Sequence, residues 1–63
     1  MKIFTVHLNG ELTRMFENTL EAAQRAAMPL VNQGTLTIEH QCAPATTAQW
    51  RFDSDVADWV RTQ

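Results

Sequence analysis

Polar and apolar residues alternate from Lys2 to Leu8, with Ile3, Phe4, Thr5 and Val6 supplying β-branched and aromatic side chains. That period of two predicts a strand. Asn9-Gly10 follows directly. This dipeptide tolerates the positive φ angles of a type I′ turn and is the strongest short hairpin signal. Glu11 to Phe16 is then the return strand.

The period changes after Asn18. Leu20, Ala23, Ala27, Leu30 and Val31 recur at helical spacing among good helix formers. Asn18 or Thr19 is placed to cap this helix, and Glu21 stands three residues beyond Asn18, close to a capping box. Pro29 removes a backbone donor and disfavours helix at Met28. With Gly34 as a natural terminator, the pattern favours a kinked helix reaching about Gln33.

Alternation returns at residues 35–41. Thr35, Thr37, Glu39 and Gln41 share one face of a third strand, and Leu36, Ile38 and His40 share the other. The segment 42–47 reads as a loop, where Pro44 would interrupt a central strand. Gln49 to Phe52 alternates again. For the end of the chain two readings stay open: a second hairpin closed by residues 53–57, or a short helix capped by Ser54. Trp50, Phe52, Trp59 and Val60 favour the hairpin, because aromatics pair well across strands.

These elements predict a single α+β domain over residues 1–63: ββαβ followed by ββ or βα. Its sheet is small and mostly antiparallel, with one helix packed on one face. A two-residue turn at Asn9-Gly10 implies the pairs Leu8–Glu11, His7–Leu12, Val6–Thr13, Thr5–Arg14, Phe4–Met15 and Ile3–Phe16. Phe4, Val6, Leu8 and Met15 then lie under the helix. Ile3, Leu12 and Phe16 lie on the opposite face among Thr5, His7 and Arg14. One helix cannot cover both faces, so apolar surface is expected to remain available for contact.

Composition agrees with a globular chain. It has 63 residues, 44% hydrophobic and 19% charged. A domain of this size has a thin core, and the single cysteine, Cys42, excludes an internal disulfide. Self-association is the next source of stability to consider. Five basic against seven acidic residues give a net charge of −2, too weak for an electrostatic nucleic-acid footprint. No apolar run approaches a membrane span, and the alternating N-terminal segment is unlike a signal peptide. One unpaired cysteine suits a reducing compartment, so a cytoplasmic location is expected.

Candidate chemistry is sparse. His40 and Cys42 share a strand face and could supply two zinc ligands, but no second pair exists at zinc-site spacing and only His7 could add nitrogen. Cys42 as a nucleophile has His40 or His7 as a possible base, yet no glycine-rich or helix-start element follows it to stabilise negative charge. Asp53, Asp55 and Asp58 resemble calcium-loop spacing without its central glycine or terminal glutamate. A solvated turn explains them more simply. Trp50, Phe52 and Trp59 could stack bases, but Arg51 and Arg61 are outnumbered by the neighbouring aspartates. Phosphate loops, zinc-protease motifs and serine-nucleophile motifs are lacking.

The expected function is therefore a non-catalytic protein-interaction module, without metal or cofactor, that forms a homodimer or docks on a larger protein. Ile3, Leu12, Phe16, Trp50 and Trp59 are the expected contacts. The alternative is a small nucleic-acid-associated regulator using the Trp50/Phe52/Trp59 tail. A third reading is a subunit of an enzyme whose active site another chain completes.

Overall fold

In the computed structural model the backbone is described for residues 2–42 and 45–62; the side chains of residues 2, 42 and 45–47 lie outside that description. The order of elements is β1 (Lys2–Leu8), β2 (Glu11–Glu17), α1 (Leu20–Ala27), β3 (Leu36–Cys42), β4 (Ala45–Asp53) and β5 (Asp58–Arg61). One antiparallel sheet runs β2-β1-β3-β4-β5, and α1 packs on one side of β2, β1 and β3. The α+β architecture read from the alternation is thus present, and its open ending resolves to a second hairpin, β4–β5. Ser54 lies in the turn of that hairpin and caps no helix.

The first turn forms as the Asn-Gly pair dictates, with φ of 54° at Asn9 and 82° at Gly10. Leu8–Glu11 and His7–Leu12 pair as expected. Beyond them the register slips: Thr5 faces Phe16 and Phe4 faces Glu17, so Arg14 and Met15 are not the partners of Thr5 and Phe4. Ile3 pairs with Gln41 of β3. Three residues of β2 (Thr13, Arg14 and Met15) stand against Val6 alone. The Thr13 hydroxyl satisfies this bulge by donating to the Val6 carbonyl at 2.7 Å and accepting from the Met15 amide at 3.2 Å. Because the slip is two residues, no side chain changes face.

Thr19 caps α1, its Oγ1 accepting from the Ala22 amide at 3.1 Å. The α-helix ends at Ala27, short of the expected Gln33. Met28–Leu30 continue as a single 3-10 turn with Pro29 near its start, where the missing amide leaves no bond unmade. The third strand starts at Leu36 and the fourth already at Ala45, so most of the expected 42–47 loop is strand; Pro44 falls outside the described residues.

The core lies between α1 and the sheet. Val6, Leu36 and Ile38 are its large fully buried side chains, closed over by Ala23 and Ala27. Two alanines on the inner helix face let the helix approach the sheet closely. Phe4, Leu8, Met15, Leu20, Leu30, Val31 and the aromatics Trp50, Phe52 and Trp59 pack around this centre. Among the described residues, no helix is long and apolar enough to cross a membrane.

Candidate interaction surface

Among the described residues, no element covers the sheet face opposite α1. Registers across the sheet set its side chains in rows. One row reads Leu12, His7, Thr37, Arg51, Val60, and the next reads Phe16, Thr5, Glu39, Gln49. Apolar residues occupy the flanks: Leu12 is 56% exposed and Phe16 49% on β2, and Val60 is 41% exposed on β5. Ile3 is half-buried on the same face.

The centre of the face is polar and internally bonded. Glu39 accepts from Gln41 Nε2 at 3.0 Å and from Gln49 Nε2 at 3.4 Å, and its Oε2 lies 3.4 Å from His7 Nε2. His7 Nε2 is also 2.9 Å from Thr5 Oγ1. Thr62 extends the network by bonding the Gln49 carbonyl and side chain. Thr5 is only 4% exposed, sealed between Phe16 and Glu39. The bonded cluster of Thr5, His7, Glu39, Gln41 and Gln49 thus lies between Leu12 and Phe16 on one flank and Val60 on the other, with the exposed Arg14 and Arg51 on the same face.

A hydroxyl, an imidazole and a carboxylate in contact invite comparison with a nucleophile–base–orienter triad. The geometry differs from one. In a triad the two ring nitrogens serve different partners, whereas here Thr5 and Glu39 share Nε2. The Thr5 hydroxyl is also shielded from any substrate.

The five contact residues read from the sequence divide between two faces. Ile3, Leu12 and Phe16 share the open face. Trp50 and Trp59 lie on the helix side, packed against the core. There Phe4 stacks on His40 at 4.5 Å and meets Trp50 at 6.0 Å, Trp59 meets Phe52 edge to face at 5.4 Å, and the Arg61 guanidinium sits 5.8 Å from the Trp50 ring centre. Phe52 and Trp59 thus pack on each other, Trp50 packs on Phe4, and all three lie against the core. Val60 was missed by the sequence reading. Its signal was its parity in the Asp58–Arg61 strand, which sets it opposite to Trp59. Glu39 was missed too, because His7 and Gln49 reach it from β1 and β4, and only the strand order brings those together.

The other candidates take simple places. Asp53 Oδ1 accepts from the Asp55 amide at 2.9 Å and Asp58 Oδ1 from the Trp59 amide at 2.8 Å, so both carboxylates serve the β4–β5 turn. The described residues contain no group of three or more His, Cys, Asp or Glu placed to hold a metal. The Cys42 side chain falls outside the described part, and His40 points to the helix side. Among the described residues, one open hollow of about 310 Å³ lies between the Val31–Thr35 segment and the β4–β5 turn, and another of about 250 Å³ lies between α1 and Trp59. The chain matches no known protein family, no curated protein and no solved structure.

Proposed function

We propose that the chain is a non-catalytic protein-interaction domain of the cytoplasm and that its open sheet face is the docking surface. The observation that carries this reading is the exposure of Leu12, Phe16 and Val60 on a face whose polar centre already satisfies itself. A partner covering this face gains apolar burial and has to offer acceptors to the exposed Arg14 and Arg51 beside it. The core adds motive: among the described residues Val6, Leu36 and Ile38 are the large fully buried side chains, so further burial by association matters to a domain this small. Only the compartment rests on composition, through the single cysteine.

Sheet edges serve this role less well. The outer strand β2 carries a bulge and the charges Glu11, Arg14 and Glu17, and β5 has four residues. Bulges, charge and short length all oppose strand addition. The test is a paired affinity capture from native cells with the wild-type chain and a Leu12→Glu/Phe16→Glu double variant as baits. A partner, including untagged copies of the chain, recovered by wild type and lost by the variant supports the reading. Equal recovery by both baits, or none by either, overturns it.

A further inference from the structure

We propose that Asn9 is a site of slow self-modification, at which the Gly10 amide converts the Asn9 carboxamide to a carboxylate, and that the contact with Thr35 and Gly34 gates the step. The chemistry comes from the residue pair. The Gly10 nitrogen gives its proton to hydroxide and bonds to Asn9 Cγ. The Cγ–Nδ2 bond breaks, and ammonia leaves with a proton taken from water. Water then opens the five-membered imide at either carbonyl. One opening gives aspartate; the other gives isoaspartate, whose main chain runs through the former side chain. A side chain on the following residue hinders the attack, and glycine has none. The asparagines Asn9, Asn18 and Asn32 are all exposed, but Asn18 and Asn32 precede Thr19 and Gln33, and Asn9 alone precedes glycine. A Cβ built on Gly10 would meet nothing within 4 Å, so solvent and hydroxide have open access to it.

The fold holds the carboxamide away from this reaction. Asn9 Oδ1 accepts from the Thr35 amide at 3.0 Å. Oδ1, Nδ2 and Cγ also lie so close over Gly34 that a Cβ there would overlap all three. The main chain is tied at the same place, where the Asn9 amide donates to the Thr35 carbonyl at 2.8 Å. To close the imide, the carboxamide must leave Thr35 and Gly34 and swing onto the Gly10 nitrogen. Closure therefore draws on conformations in which this turn has come away from the entry of β3, a local opening. The two products then differ. Aspartate keeps an oxygen that accepts from the Thr35 amide. Isoaspartate adds a methylene to the main chain between Leu8 and Glu11, so the two-residue turn that pairs them no longer fits. Its carboxylate sits directly on Cα, too short to reach Thr35. The conversion adds a negative charge and releases the turn, a one-way record of how often it has opened.

The experiment incubates the wild-type chain at one mildly alkaline pH in native buffer and in guanidinium chloride. Peptide mapping by mass spectrometry follows Asn9, Asn18 and Asn32. In denaturant Asn9 should convert at least about tenfold faster than the other two, because only its neighbour lacks a side chain. In native buffer Asn9 should still convert first, but at least about tenfold slower than in denaturant, the ratio that an opening cost of about 1.4 kcal/mol imposes. Gly34→Ala crowds the carboxamide off its seat. It should convert faster than wild type in native buffer and at the wild-type rate in denaturant, where no fold is needed. Conversion of Asn9 no faster than Asn18 in denaturant, or later than Asn18 or Asn32 in native buffer, overturns the site. Equal wild-type rates in the two media overturn the gate. The isoaspartyl form, isolated by ion exchange, should melt below both wild type and Asn9→Asp, and a melt equal to theirs overturns the release of the turn.

Discussion

Asn9 and Thr35 hold each other by two hydrogen bonds: the Asn9 amide donates to the Thr35 carbonyl at 2.8 Å, and the Thr35 amide donates to Asn9 Oδ1 at 3.0 Å. Asn9 thus performs two tasks. It takes the positive φ of the first turn, and it ties that turn to the entry of β3, 26 residues away. Asn9→Ala loses the side-chain bond and forces alanine into the left-handed region, so it should destabilise by about 2–3 kcal/mol. Asn9→Gly restores the backbone freedom alone and should recover about half of that. Urea unfolding of the three proteins checks the order.

Gly34 stands against this same side chain. Its φ is 158°, and a Cβ there would run into the Asn9 carboxamide. Gly34→Ala should therefore destabilise the domain by more than about 1 kcal/mol, and the penalty should shrink when Asn9 is glycine. A double-mutant cycle measured by thermal melting tests the coupling. Strict additivity of the two substitutions would show that the contact does not matter.

Thr13 is the counterpart at the bulge. Thr13→Val keeps the shape but deprives the Val6 carbonyl and the Met15 amide of the hydroxyl that serves both. A loss of about 1–3 kcal/mol is expected, since partly buried main-chain groups are left unpaired. Thr13→Ser keeps the hydroxyl and should retain most of the stability. Chemical denaturation of both variants makes the comparison.

How much of this was readable beforehand follows from the range of each interaction. Asn9-Gly10, the Thr19 cap and the alternation of Leu36 to His40 are local, and each gave its element. The slip at Thr13 is local too, but it depends on a side chain replacing a ladder bond, which alternation does not encode. The strand order is not local. β3 pairs with β1 across the intervening helix and leaves β2 at the edge, a pairing that no local pattern encodes. The Thr5–His7–Glu39 cluster depends on that order, so it was invisible. The face of the tryptophans also depends on the register between strands, which residue type does not carry. Parity relative to Ile38, which pairs with Trp50, places them on the helix side.

Ala57 offers a stabilising change. It closes the β4–β5 turn with φ of 53°, a conformation in which its methyl group costs about 1–2 kcal/mol. Glycine removes that strain but gains about 0.4–1 kcal/mol of unfolded-state freedom. The first effect is larger, so Ala57→Gly should stabilise by roughly 0.5–1 kcal/mol. A raised melting temperature is the expected reading, and a lowered one would mean the turn has other support.

Ile38 and Leu12 test the division between core and surface. Ile38 is fully buried at the centre of the sheet, between Val6 and Trp50 on the neighbouring strands. Its truncation to alanine should cost about 2–5 kcal/mol, and α1 packs too tightly over the site for collapse to recover much of it. A core of this size supplies only about 3–5 kcal/mol in total. Ile38→Ala should therefore be largely unfolded at 25 °C by circular dichroism. Leu12→Ala removes a side chain of similar volume from the open face, and as a monomer it should stay within about 0.5 kcal/mol of wild type. If Leu12→Ala instead destabilises the chain more at high protein concentration than at low, the difference measures the burial that association gives this residue.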